Sequence, residues 1–285
     1  MQDLNTIRQG AVLTSLTIRK WGNSKLDKGA SASIAASSGA SPEFARVTKT
    51  LLSKQFIDPL NKLLNKARSD FYEVTLPWTD NGWRLLPVGK LNDLQQAIDN
   101  HKIDLDNLLR QSLIDYAYQV QNAQRELGTL FDPDDYPSTS EIAAKYSIEV
   151  QMMPVPSEGD FRLSVAGDVA EAIREQAREQ YAACAARSMQ HIWHSVGELL
   201  TLVHERLNSS DGRFTSIFPK LMDMVDGLDE LNVGQDPELQ RLQREAKRRL
   251  SALRDPKAIK TDEPARKQAA QDVKSVIDDF EGMWG

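Results

Sequence analysis

Residues 168–208, DVAEAIREQAREQYAACAARSMQHIWHSVGELLTLVHERLN, contain no proline and a single internal glycine, Gly197. Val169, Ile173, Ala177, Tyr181, Cys184, Ile192, Val196, Leu199, Val203 and Leu207 fall at the three-four spacing of one helix face. The pattern predicts one uninterrupted amphipathic helix, roughly 60 Å long at 1.5 Å per residue. Its apolar stripe needs cover. The segment 103–127 is the first candidate partner and 215–231 a second. Long antiparallel helices in a coiled-coil-like stalk follow from this reading.

Upstream, Asp58-Pro59 starts a helix carrying Leu60, Leu63, Leu64, Ala67, Phe71 and Val74. Ser41-Pro42-Glu43 reads as another start. Residues 90–127 return to helical spacing, with Leu91, Leu94, Ile98, His101, Leu105 and Leu108 followed by a slip of one position near Asn100. Ser138-Thr139-Ser140-Glu141 caps a short helix. Downstream, Asp236-Pro237 and Asp262-Glu263-Pro264 open two more.

Three segments read as β. Residues 11–20 are rich in β-branched side chains. Residues 148–153 alternate, and Pro154 and Pro156 confine them to a sheet edge. Between the helices lies Leu76-Pro77-Trp78-Thr79-Asp80-Asn81-Gly82-Trp83-Arg84-Leu85-Leu86-Pro87. Asn81-Gly82 is a strong hairpin signal because both residues tolerate positive φ. The fold class expected is α+β, predominantly α: long antiparallel helices with a small β-containing head. The division is 1–28, an N-terminal strand; 29–41, a flexible Ser/Ala loop; 42–165, helices with the head hairpin and strand; 166–234, the long helix and its return; and 235–285, a basic helical segment.

The 285 residues carry 40% hydrophobic and 27% charged side chains with a net charge of −6. That is ordinary soluble composition. No apolar run is long enough to span a bilayer, and residues 1–5 show no secretory signal, so a cytoplasmic protein with no membrane partner is expected. Cys184 is the only cysteine, which excludes an internal disulfide and a cysteine-built zinc site.

Motifs for chemistry are sparse. The sequence has no glycine-rich phosphate loop. His191 and His194 with Glu198 share adjacent helix turns, yet lack the carboxylates of a di-metal bundle, and read as a polar seam. Asp134 and Asp135 sit between prolines as solvated turn acids. Ser31, Ser33, Ser37 and Ser38 have no base nearby. Cys184 lies on the apolar stripe as a small hydrophobe. No catalytic residue, cofactor or metal is expected.

Two binding surfaces remain. Trp78, Trp83 and Arg84 are the residue types that anchor protein interfaces, although the tryptophans equally suit the end of a bundle. Arg241, Arg244, Lys247, Arg248, Arg249 and Arg254, with Lys257 and Lys260, give residues 241–260 a local charge of +6. That segment fits a phosphate backbone or a solvated helix face.

The order of motifs resembles a protein family. Trp21-Gly22, Phe56-Ile57-Asp58-Pro59-Leu60, Leu76-Pro77, Gly82-Trp83-Arg84-Leu85-Leu86-Pro87, Leu127-Gly128-Thr129-Leu130-Phe131-Asp132, Asp135-Tyr136-Pro137-Ser138 and Met153-Pro154-Val155-Pro156 carry it. The family comprises phage, plasmid and integrative-element proteins of unknown function, and the likeness spans roughly residues 10–210. Its genes lie near MoxR-like AAA+ ATPases and recombination genes. The resemblance implies a non-catalytic partner of an ATPase or of DNA-processing machinery. The expectation is a self-associating helical scaffold or adaptor. The alternative is a nucleic-acid-binding recombination accessory, or an anti-defence inhibitor, using the basic segment.

Overall fold

The computed structural model describes residues 4–41, 43–156, 168–209 and 217–284. Side chains of Leu4, Asn5, 168–170, Ile173, Arg174 and 281–284 lie outside that description. So do Pro42 and the expected helix end at 210–212. Among the described residues there are eleven α-helices and six strands, a predominantly α fold of the α+β class.

Four strands form one sheet in the order β4-β5-β1-β6: β1 is Ala11–Arg19, β4 Leu76–Pro77, β5 Arg84–Pro87 and β6 Ser147–Pro154. The three segments read as β thus meet in one sheet. The proline-bearing β6 is at its edge, where a missing N–H breaks no ladder. Strand β5 pairs antiparallel with β1, Ala11 opposite Pro87 and Leu13 opposite Leu85.

The chain divides into two units, both discontinuous in sequence. The first comprises residues 1–15, 74–91 and 152–285. Its spine is α7, Asp168–Asn208, the long helix that the sequence predicts. Ala177, Ala185, Met189, Ile192, Trp193, Val196, Leu199, Leu200, Val203 and Leu207 are buried along it. Adjacent pairs such as Ile192/Trp193 and Leu199/Leu200 make this face too broad for a two-stranded seam. Two helices cover it, α8 (Ile217–Leu231) and α11 (Glu263–Trp284). No heptad stalk is present among the described residues.

Helix α9, Pro237–Arg249, packs on α8 and α11. Asn232 closes the α8–α9 turn: its amide donates to Asp236 O at 2.9 Å and accepts from Asp236 N at 2.8 Å. Asp236 then caps α9 by accepting from Glu238 N and Leu239 N, with Pro237 in the first turn. Buried Gln243 donates to Val225 O at 2.9 Å, so a polar residue on the core face of α9 is satisfied. The basic segment is therefore part of this bundle.

The second unit comprises residues 16–73 and 92–151. The Ser/Ala stretch expected as a loop is a helix, α2 (Lys28–Ser38), between strands β2 (Ser24–Asp27) and β3 (Val47–Thr50). Only Ser31 and Ala35 of it are buried. Asp27 caps it by accepting from Ala30 N at 2.8 Å. Ser31 is buried and accepts from Val47 N at 2.9 Å. Gly39, at φ 61°, ends it in the left-handed region. The helix start expected at Ser41–Glu43 includes Pro42, outside the described residues; among the described ones no helix follows, and Phe44 N donates to Ser41 O ahead of β3.

Helix α3, Lys54–Glu73, begins ahead of the Asp58-Pro59 signal, and Pro59 sits inside it. The anticipated slip near Asn100 occurs later: α4 (Leu91–Ile114) yields to α5 (Tyr116–Leu127) at Asp115. His101 lies 2.8 Å from Asp70 of α3, which explains a histidine on that stripe.

Candidate protein-binding surface

Strands β4 and β5 pair as Leu76↔Leu85 and Pro77↔Arg84. Trp78 N and Thr79 N both donate to Trp83 O, at 3.2 and 3.1 Å. Thr79, Asp80, Asn81 and Gly82 (φ 92°) thus form a tip closed at its base. The tip is longer than a two-residue Asn-Gly turn, because the backbone closes on Trp83 O from Trp78 and Thr79 and leaves residues 79–82 outside the ladder.

The two tryptophans separate. Trp78 is 2% exposed and packs in the core of the first unit with Leu76, Leu85, Leu13 and Ile7. It anchors the tip and offers no surface to a partner. Trp83 is half-buried against the same core, leaving part of the indole open. The two rings differ in depth on one core, buried for Trp78 and half-buried for Trp83, which their shared residue type conceals. Arg84 is half-buried: Nε donates to Thr75 Oγ1 at 2.7 Å and Nη2 to Thr75 O at 2.6 Å. The guanidinium therefore braces β5 against the chain entering β4.

Helix α7 fixes the hairpin from behind. Buried Ser188 donates to Pro77 O at 2.5 Å, and Arg187 pairs with Asp80 at 2.7 Å. Pro77, Arg187, Gln190, His191 and His194 line an open groove of about 500 Å³ beside the tip. Burial, with the charges of Arg84 and His194, holds the His191 imidazole below its usual pKa, favouring the neutral ring. His194 pairs with Glu198 at 3.2 Å. Among the described residues no group of three His, Cys, Asp or Glu side chains is placed to hold a metal ion. Burial raises the Cys184 thiol pKa, which suits a packing role over a nucleophilic one.

A larger groove of about 660 Å³ runs between α7 and α8, edged by Glu198, Glu205 and Lys220. Ser195 and Thr201 also line it, and among the described residues neither hydroxyl is hydrogen-bonded to Glu198, Glu205 or Lys220.

The basic segment is largely neutralised by its own bundle. Arg241 pairs with Glu238 at 2.7 Å and Arg248 with Glu245 at 2.6 Å. Arg249 pairs with Asp279 at 2.7 Å, and Arg254 with Asp226 at 2.8 Å. Lys247 lies 3.9 Å from Asp226 and 3.8 Å from Asp229. Only Arg244, among the six residues named, has no ion pair with a described residue.

The sequence concealed a buried charge cluster in the second unit. Asp135, read as a solvated turn acid, is 7% exposed. Lys49 Nζ lies 2.8 Å from Asp135 Oδ2 and 3.5 Å from Asp27 Oδ2, and donates to Leu130 O at 2.6 Å. Lys25 pairs with Asp135 Oδ1. Burial pushes the Asp135 carboxyl up, but hydrogen bonds and charge from the two lysines outweigh it and the net shift is down. Lys49 moves up through its bond to Asp135. Both groups are held charged, which suits a clamp rather than an acid or base. The alternation of β3, with Lys49 facing inward between exposed Thr48 and Thr50, was the available signal.

Among the described residues no helix is long and apolar enough to cross a membrane. No protein-family model, curated protein or solved structure matches the chain.

Proposed function

We propose that this chain is a non-enzymatic protein-binding adaptor that presents the 79–84 tip, with the neighbouring α7 groove, to a partner protein. The observation that carries the reading is the way the tip is held. Exposed Asp80, Asn81 and Gly82 stand on a base fixed by buried Trp78, by Ser188, by Arg187 and by the Arg84–Thr75 bonds. A loop ordered in advance loses little further entropy on docking. Half-buried Trp83 supplies an aromatic anchor at the base of the tip, and the groove beside the tip contributes the polar side chains of Arg187 and His191.

The family resemblance supplies the partner class: a AAA+ ATPase of the MoxR type, or DNA-processing machinery of a mobile element, met in the host cytoplasm. Self-association belongs to the same proposal. Its support is the outer face of α4 and α5, where Ile103, Ile114 and Tyr118 are 59, 80 and 58% exposed; the stripe of α7 is already covered. A nucleic-acid role for residues 241–260 has weaker support, because the bundle's own carboxylates pair five of its six central cations.

Affinity capture from cells carrying the parent element, with wild-type and Trp83→Ala chains compared by mass spectrometry, tests the reading. The expected result is an ATPase recovered by the wild type and depleted by the variant. Equal recovery by both chains would overturn the role of the tip.

A further inference from the structure

We propose that Asn81 is a site of spontaneous deamidation, set up by the geometry of the 79–82 tip. Asn81-Gly82 is the only Asn-Gly pair in the chain. The reaction needs the following backbone nitrogen to reach the side-chain amide carbon, and a glycine at that position leaves the nitrogen open. Both residues are exposed, and Gly82 stands at φ 92°.

The hydrogen bonds around the tip favour the attack. Trp78 N and Thr79 N are committed to Trp83 O, whereas Gly82 N donates to no acceptor among the described residues. The nucleophile is therefore free of a bond that would have to break. Thr79 Oγ1 donates to Asn81 Oδ1. That bond draws density from the amide carbon and follows the oxygen as negative charge develops on it.

Solvent base removes the Gly82 amide proton, and Gly82 N attacks Asn81 Cγ. The bond from Cγ to the side-chain nitrogen breaks, and that nitrogen leaves as ammonia after taking a proton from water. Water then opens the resulting cyclic imide at either carbonyl. One route gives aspartate on an unchanged backbone. The other gives isoaspartate, whose backbone runs through the former side chain and is longer by a methylene. Nothing is oxidised or reduced, and water is the only co-reactant.

Two other asparagines show the contrast. Asn23 holds Leu52 from both ends of its amide, at 2.8 Å each. Asn232 is buried, holds Asp236 in the same way and precedes β-branched Val233. At Asn81 the product adds a carboxylate beside Asp80, the partner of Arg187. This chemistry stands whether or not the tip binds a partner.

The test is peptide mapping of the full-length protein aged at mildly alkaline pH in heavy-oxygen water, beside the same chain in denaturant. In the native protein the Asn81 peptide is expected to exchange amide for hydroxyl, gain one heavy oxygen and split into two isomers. Its rate should rise in proportion to hydroxide and lie within an order of magnitude of the denatured rate. Asn23 and Asn232 should persist, and Asn81→Gln should abolish the signal. Native Asn81 intact when the denatured chain is fully converted would overturn the proposal.

Discussion

Gly197 of α7 sits directly on the Phe280 ring of α11: a Cβ at position 197 would lie 2.9 Å from Phe280 Cε1. The ring is 3% exposed and also meets Trp193, with centroids 5.2 Å apart. It has little room to yield. The one glycine inside the long helix is thus explained by close helix packing.

Gly197→Ala should therefore destabilise the first unit, although alanine favours helix by about 1 kcal/mol. Overpacking of about 1–3 kcal/mol exceeds that gain. Denaturant titration should show a lower midpoint with an unchanged slope. Adding Phe280→Leu should recover part of the loss, since the two sites share one contact.

The Lys49–Asp135 clamp gives a prediction with a defined pH window. Lys49→Met leaves the buried Asp135 carboxylate with Lys25 alone and should cost about 2 kcal/mol in the second unit. Asp135 titrates lower when folded, so its contribution is complete above the usual carboxylate value of about 4 and fades as pH falls through the folded value. Lys49 titrates higher when folded, so its contribution is complete below about pH 10 and fades as pH rises through the folded value. Between those limits the effect of Lys49→Met should be flat. A dependence centred near neutrality would contradict the assignment.

Trp78 and Trp83 should behave differently on truncation. Trp78→Ala empties a filled core site and should cost roughly 3–5 kcal/mol. Trp83→Ala should cost much less and act mainly on partner binding. Thermal unfolding of the two variants separates the roles; equal losses would show that both rings are structural.

Arg249 and Arg244 lie five residues apart in one basic helix yet differ in role. Arg249 holds Asp279 at 2.7 Å and Ser275 Oγ at 2.6 Å across to α11. Arg249→Ala should cost about 1 kcal/mol, through a hydrogen bond to a charged group and a half-exposed pair. Arg244→Ala should stay within about 0.5 kcal/mol of the wild type. Chemical denaturation of both variants checks this.

Helices with strong periodicity were legible in the sequence, as α7 shows, and so were strands flagged by alternation or proline, as β6 shows. Small-residue α2 was not, because serine and alanine carry no stripe and its stability rests on the Asp27 cap and the Ser31–Val47 bond. Asp135 misled for a related reason: a turn between prolines predicts local shape, while burial depends on Lys49, far away in sequence. At the tip, residue type marked Trp78 and Trp83 alike, and only their burial in the fold separates the buried anchor Trp78 from half-buried Trp83. The basic segment was visible as charge, but Asp226 and Asp279, which neutralise it, lie outside its run.

The role of the tip is tested most directly by hydrogen exchange of the full chain, free and bound to the protein it captures. Slower exchange is predicted at residues 79–84 and 187–194, with α9 unchanged. Protection confined to other segments, with the tip exchanging as in the free protein, would contradict it.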